Sequence, residues 1–336
     1  MMKAVLQDEY GDQSTLYVGN ISIPIPGEEE VLIKVSCTAL NRMDLLQCRG
    51  LYPLPAGASK IIGVEVSGYI HAIGPKCTGR FQIGDRCMAL LQGGGYAEYA
   101  IAYESSVIHS PSSLNMKVLA SIPEQWMTAY QLLFLVGNLQ AGESVLLHAA
   151  ASGVGQAAIQ LAKHAGAICF STCRSDEKVT CCLEMGSDHA FNVSNGPHFV
   201  ESIKSNNNGK LVNLILDPIG GGPYASENID ALAVDGRWVV YGTMGGRGVD
   251  DPNIIGKILG KRATIIGTTL RSRPQEYKAR LASFIENNVL PHIVSGQFQV
   301  LIDSTYPLTT EGVQQAHLRM ESNANIGKIV LIVNDE

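Results

Sequence analysis

Glu143-Ser144-Val145-Leu146-Leu147-His148-Ala149-Ala150-Ala151-Ser152-Gly153-Val154-Gly155-Gln156-Ala157-Ala158-Ile159 decides the fold. Its first seven residues are a short apolar run closed by small turn residues, the pattern of a strand covered on both faces. From Gly153 a helical pattern continues to His164 and is closed by Gly166. Set against G-x-G-x-x-G, the key positions hold Ala150, Ser152 and Gly155, with Gly153 beside them. A dinucleotide diphosphate needs a tight turn, close backbone approach and a helix N-terminus offering free N–H groups. Ala150 and Ser152 are small enough for the first two demands, and Gly155 permits close helix–strand packing. An ordinary strand–helix connection is the competing reading; the position between a clear strand and a clear helix favours nucleotide binding.

Downstream, strands are expected at residues 167–173, 189–193, 211–216, 237–241 and 264–268, with helical stretches between them. That alternation is the signature of a doubly wound parallel sheet. Upstream, to about residue 110, the segments are short and turn-punctuated. Residues 30–38 alternate apolar and polar positions like a half-buried strand, and residues 63–73 and 86–101 continue the style. This is a β-rich, barrel-like region. The C-terminal stretch returns to mixed structure, with a helix near 311–321 and a strand at 328–333.

The chain has 336 residues, 46% of them hydrophobic and 17% charged, which suits two domains and excludes wholesale disorder. Basic residues number 25 against 31 acidic, and none cluster, so nucleic acid and anionic membranes are not expected partners. No apolar stretch reaches the roughly 18 residues of a membrane span. Acidic residues interrupt the first ten positions before any signal-peptide core, so a cytoplasmic address is expected. The eight cysteines contain no C-x-x-C pair and read as free thiols. Adjacent Cys181 and Cys182 form the candidate oxidation-sensitive pair.

An NAD site places an acidic residue about 20 positions past the glycine turn, against the ribose 2′-hydroxyl. Here that strand ends in Cys173-Arg174-Ser175-Asp176-Glu177-Lys178, and its tip is not acidic. Arg174, Ser175 and Lys178 suit a 2′-phosphate instead. Ser175 also fits a plain helix N-cap, and Asp176 leaves NAD open; NADPH is the favoured coenzyme.

Further stretches carry a family resemblance: Ala39-Leu40-Asn41-Arg42-Met43-Asp44-Leu45, Pro55-Ala56-Gly57-Ala58-Ser59, Ile122-Pro123-Glu124-Gln125-Trp126-Met127-Thr128-Ala129, Asp235-Gly236-Arg237-Trp238 and Asn325-Ile326-Gly327-Lys328-Ile329-Val330. With the Ser-Gly-Val-Gly turn, they span almost the whole chain. The sequence resembles the zinc-free medium-chain dehydrogenases/reductases, in particular the zeta-crystallin-like quinone oxidoreductases of the stress-inducible, tumour-suppressor-regulated type. The resemblance implies a GroES-like β-barrel catalytic domain at 1–124 and 272–336, a Rossmann-type NADPH-binding domain at 125–271, and a homodimer paired through edge strands of the nucleotide domain. It implies coenzyme contacts at Asn41, Thr128, Ser152, Gly153, Val154, Gly155, Tyr241, Gly242, Thr268 and Asn325, with Arg174, Ser175 and Lys178 at the adenosine phosphate. Relatives carry a tyrosine after Phe-Asn where this chain has Val193.

Zinc-dependent cousins place a ligand Cys at Asn41 and read Gly-His-Glu at Gly63-Val64-Glu65. A catalytic zinc needs three N, S or O ligands, which Val64 cannot supply, so no metal is expected. Tyr52, in Gly50-Leu51-Tyr52-Pro53, is the candidate to stack on a small quinone, and Asn41 to orient the nicotinamide or the acceptor oxygen. A loop aromatic that merely covers the barrel is the alternative for Tyr52. Trp126, Trp238 and His148 are expected in cores. Reduction of enones, with residues 270–273 among those setting the choice, and a non-enzymatic NADPH-binding sensor are the alternatives to quinone reduction.

Overall fold

In the computed structural model, which describes residues 1–334, the chain divides into two compact units, Met1–Met127 with Arg271–Glu336, and Thr128–Leu270.

The second unit is an alternation of strands β1 (Ser144–His148), β2 (Ile168–Cys173), β3 (His189–Asn192), β4 (Val212–Asp217), β5 (Leu232–Val240) and β6 (Thr264–Gly267) with helices. The helices are α1 (Gly153–His164), α2 (Asp176–Glu184), α3 (Val200–Asn206), α4 (Pro223–Ala231) and α5 (Ile254–Lys261). The strands lie in the order β3-β2-β1-β4-β5-β6, every pair parallel. This is the doubly wound order with a switch point at β1/β4. Every residue of β1 is buried, as a strand roofed on both faces must be. Leu146, Phe170, Phe199, Ile215, Ile229 and Trp238 build the core beneath.

One strand extends well beyond its expected bounds, the others matching to within a residue. Residues 237–241 were expected, whereas β5 begins at Leu232. Val212 pairs with Leu232 and Leu214 with Arg237, so the pairing is interrupted by a bulge carrying Asp235 at φ 62° and Gly236. Asp-Gly in a strand reads as a turn in sequence, and here it is a bulge inside a longer strand.

The first unit carries a seven-stranded sheet. Its order runs Ile302–Pro307, Lys328–Ile332, Glu30–Ala39, Glu65–Ile73, Arg86–Leu90, Val107–His109, and Tyr99–Tyr103 also pairs with Glu30–Ala39. The alternation of residues 30–38 predicts half-burial, yet only Lys34 is exposed in the strand Glu30–Ala39. The reason is position: this strand pairs with three others, and polar Ser36 and Thr38 are covered too. Helix Thr310–Glu321 packs Val313, Ala316 and Met320 against Leu40, Leu45, Ile329 and Leu331. The antiparallel pairings Val330↔Ala39 and Thr38↔Val66 then bring Lys328, Asn41 and Glu65 to one end of the sheet.

Candidate active site

In the parallel unit, the expected coenzyme residues other than Thr128, which lies in helix Pro123–Tyr130, follow the C-terminal ends of strands, where open α/β sheets bind ligands. Ser152 caps α1, its Oγ accepting the N–H of Gly155 at 3.2 Å. A Cβ on Gly155 would stand 2.4 Å from the Ala150 carbonyl oxygen, so the helix start and the strand end touch backbone to backbone. Gly153, Val154 and Gly155 form the first turn of α1 with no acidic side chain among them, so the helix N-terminus is suited to a diphosphate. Gly242 follows β5 and has room for no Cβ beside the Pro218 carbonyl, 2.5 Å away. Tyr241 donates its backbone N–H to Asp217 O at 2.9 Å, and burial pushes its phenol pKa up. Thr268, just past β6, and Thr128 are nearly buried.

At the end of β2, Arg174 is exposed and Ser175 caps α2 by accepting the N–H of Lys178 at 3.3 Å. The capping role expected as the alternative is therefore present, and the Ser175 hydroxyl still has its own proton to donate. Asp176 accepts from Asn192 Nδ2 at 2.7 Å. Val193 is buried in the core with Phe170 and Phe199. His148 is a core residue, 1% exposed. Its ring nitrogens meet Thr172 Oγ1 at 2.7 Å and Asn228 Oδ1 at 2.6 Å, and burial lowers its pKa. Asn228 and Trp238 in turn both donate to Asp217 Oδ2, at 2.9 and 3.0 Å, which accounts for the buried polar chain.

In the other unit, Asn41 sits inside a closed ionic network. Lys328 Nζ donates to Leu40 O at 2.7 Å, Asn41 Oδ1 at 2.8 Å and Glu65 Oε1 at 2.6 Å, which uses all three ammonium protons. Asn41 Nδ2 donates to Glu65 Oε1 at 2.8 Å, and Glu65 Oε2 accepts the N–H of Glu124 at 2.8 Å. That last bond sets the carboxylate at the start of helix Pro123–Tyr130, where negative charge is favoured. The Asn41 side chain thus joins the Lys328–Glu65 pair and is 9% exposed. Its backbone N–H donates to Asp44 Oδ2 at 2.7 Å, which Tyr96 also reaches, at 3.1 Å. Burial pushes the Asp44 carboxyl up to about 6, against the pull of the Asn41 N–H and the Arg271 and Lys328 charges.

Tyr52 is half-buried, and burial raises its phenol pKa. The guanidinium carbon of Arg271 lies 5.6 Å from the Tyr52 ring centroid. Arg271 is 3% exposed and donates Nε to Gln92 O and Nη1 to Gln47 Oε1, both at 2.8 Å. Its Nη2 has no hydrogen-bond partner. Asn325 donates Nδ2 to Gly327 O at 3.0 Å and shapes the turn before Lys328.

Residues 27–112 match the family model described as alcohol dehydrogenase GroES-like domain, and residues 153–287 the one described as zinc-binding dehydrogenase. The human quinone oxidoreductase is 31% identical over 340 residues, covering 99% of this chain and 98% of its own length. The Lama guanicoe quinone oxidoreductase is 30% identical with the same coverage. The chain belongs to the zeta-crystallin-like quinone oxidoreductase family of medium-chain dehydrogenases/reductases. The crystal structure of the Escherichia coli quinone oxidoreductase complexed with NADPH superposes on this family member with a TM-score of 0.86 at 25% identity. It covers 98% of this chain and 100% of that one. The fold class is accordingly α/β, a GroES-like domain with a Rossmann-type parallel sheet.

Arg271 lies within the 270–273 span expected to set substrate choice, and the pairing of Lys328 with Glu65 has no counterpart among the expected contacts. The available signal for Lys328 was a lysine opening an otherwise apolar strand, Lys-Ile-Val-Leu-Ile. For Arg271 there was no local signal.

Proposed function

We propose that this family member is an NADPH-dependent oxidoreductase that reduces small quinones to hydroquinones, quinone + NADPH + H⁺ giving hydroquinone + NADP⁺. The observation that carries the reading is the Ser152-capped turn, whose backbone contact at Gly155 sets the end of β1 against the start of α1, a helix N-terminus with no acidic residue in its first turn. Ser152, Gly153, Val154 and Gly155 hold the diphosphate, and Arg174, Ser175 and Lys178 the 2′-phosphate. Tyr241, Gly242, Thr268, Thr128, Asn41 and Asn325 flank the rest of the coenzyme. NADPH supplies a hydride when bound. Tyr52 offers a ring face to the acceptor, and the Arg271 guanidinium beside that ring supplies positive charge near the oxygen on which negative charge develops. The half-buried Tyr52 and the buried Arg271 restrict water around that oxygen.

The reading is metal-independent. Zinc at this place would draw on Asn41 and the 63–65 segment. Val64 has no donor atom, while Asn41 Oδ1 and Glu65 Oε1 already bind the Lys328 ammonium. These residues do not fit a zinc ion. The expected result is NADPH oxidation with ortho-quinones and benzoquinones that is unchanged after dialysis against a chelator. Turnover of enones only would favour double-bond reduction; tight NADPH binding with no turnover would favour a sensor. Stoichiometric zinc on metal analysis would overturn the metal-free reading.

We also place the protein in the cytoplasm as a homodimer. Eight free thiols suit a reducing compartment, and no described helix is long and apolar enough to cross a membrane. Strand β6 is a sheet edge, and α5 buries none of its residues within this chain. Ile255 and Leu259 are 73% and 78% exposed, with Ile265 on β6 also uncovered. An open edge beside an apolar helix face invites pairing with a second copy. Leu259→Asp with Ile265→Lys is expected to halve the mass measured by light scattering; a wild-type chain that is already monomeric would refute the pairing.

A further inference from the structure

Cys173, the last residue of β2, and Cys182, within α2, are both buried, with their sulfurs 3.3 Å apart. The expected pair was Cys181 with Cys182. Adjacent side chains on a helix diverge, however: Cys181 Sγ meets Gln156 Nε2 at 3.7 Å, while Cys182 faces Cys173. The surroundings of Cys173 differ from those of the other buried thiols near it. Its sulfur shares a hydrogen bond with Cys182 Sγ, and the nearby Ala151 and Ala150 backbone amides and the Lys178 charge favour its ionised form. Together these hold its pKa below the usual thiol value, whereas sharing its proton with Cys173 and burial push Cys182 up. Cys169, by contrast, is raised by burial to about 12. Two sulfurs in contact at 3.3 Å, one of them with a lowered pKa, are the arrangement of an attacking and a resolving cysteine.

We propose that Cys173 and Cys182 form a reversible dithiol–disulfide site at the end of β2, with Cys173 as the attacking sulfur and a hydroperoxide as the oxidant. The Cys173 thiolate attacks the O–O bond of hydrogen peroxide; an S–O bond forms, the O–O bond breaks, and hydroxide leaves and takes a proton to become water. Cys182 Sγ then attacks Cys173 Sγ, forming the S–S bond and breaking S–O, and the departing hydroxide takes the Cys182 proton. Two thiols lose two electrons in total, and one peroxide becomes two waters. Closure needs the sulfurs to approach by about 1 Å from their contact distance. Ala150 and Ala151 belong to the turn assigned above to the diphosphate, so any bearing on coenzyme binding rests on that reading; the disulfide itself does not.

The test uses the full chain without coenzyme, so that its failure is distinct from failure of the coenzyme reading. The protein is exposed to hydrogen peroxide, remaining thiols are alkylated, and a non-reducing tryptic digest is analysed by mass spectrometry. Two thiols per chain are expected to be lost, and peptide 164–174 is expected to be linked to peptide 179–204. Dithiothreitol should reverse the link. The link should persist in Cys181→Ser and Cys169→Ser and vanish in Cys173→Ser and Cys182→Ser. A link that survives Cys182→Ser or depends on Cys181 or Cys169, irreversible sulfinic acid alone on Cys173, or no loss of thiols would each overturn the proposal.

Discussion

Lys328→Met is expected to lower the thermal unfolding midpoint of the GroES-like unit by on the order of 10 °C, from a loss of about 3–5 kcal/mol. The ion pair is fully enclosed, with Lys328 and Glu65 side chains 5% and 0% exposed. Removing the ammonium leaves the Glu65 carboxylate in a low-dielectric site with only Asn41 Nδ2 and the Glu124 N–H as donors. It also strips Asn41 Oδ1 and Leu40 O of a partner. Pairing the change with Glu65→Gln removes the uncompensated charge while keeping an acceptor for Asn41. The double variant should therefore recover a large part of the loss, which a double-mutant cycle measures. A single Lys328→Met variant within about 1 kcal/mol of the parent would show that the buried network contributes little to stability.

Gly155→Val is expected to weaken NADPH binding by roughly a hundred-fold, about 3 kcal/mol. The new side chain would meet Ala150 O at 2.4 Å and Ala150 Cα at 2.5 Å, and backbone cannot swing aside as a flexible side chain can. Either α1 moves off the end of β1 or the turn opens, and both displace the N–H groups assigned to the diphosphate. Ser152→Ala probes the same turn more gently: it removes the cap bond to Gly155 and costs about 1 kcal/mol of helix stability. Fluorescence titration with NADPH, beside circular dichroism to confirm folding, reads both. A folded Gly155→Val protein with parental affinity would contradict the role given to the turn.

The parallel sheet was legible because its signals are local. Strand β1 is a continuous apolar run, α1 starts at a serine cap and stops before Gly166 at φ 79°, and the two are joined by small residues. The limit of local reading shows in β5, where Asp235-Gly236 imitates a turn, and in Glu30–Ala39, whose alternation hides burial on both faces. The GroES-like unit's polar site was less legible because its partners are far apart in the chain. Asn41 and Glu65 are 24 positions apart, Lys328 and Asn41 287, and Arg271 and Gln47 224. No window of sequence contains these pairs; only the sheet pairing that carries residues 30–39, 65–73 and 328–332 side by side assembles them. The sulfur pair follows the same rule at short range, since helical geometry, not adjacency, selects Cys173 as the partner of Cys182.

A crystal of the full chain soaked with NADPH shows where the coenzyme sits. Diphosphate oxygens are expected to be hydrogen-bonded to the backbone N–H groups at the start of α1, and the 2′-phosphate to lie against Arg174, Ser175 and Lys178. Diphosphate density elsewhere, or a turn at Ala149–Gly155 that stays closed to the coenzyme at saturating concentration, would contradict this placement.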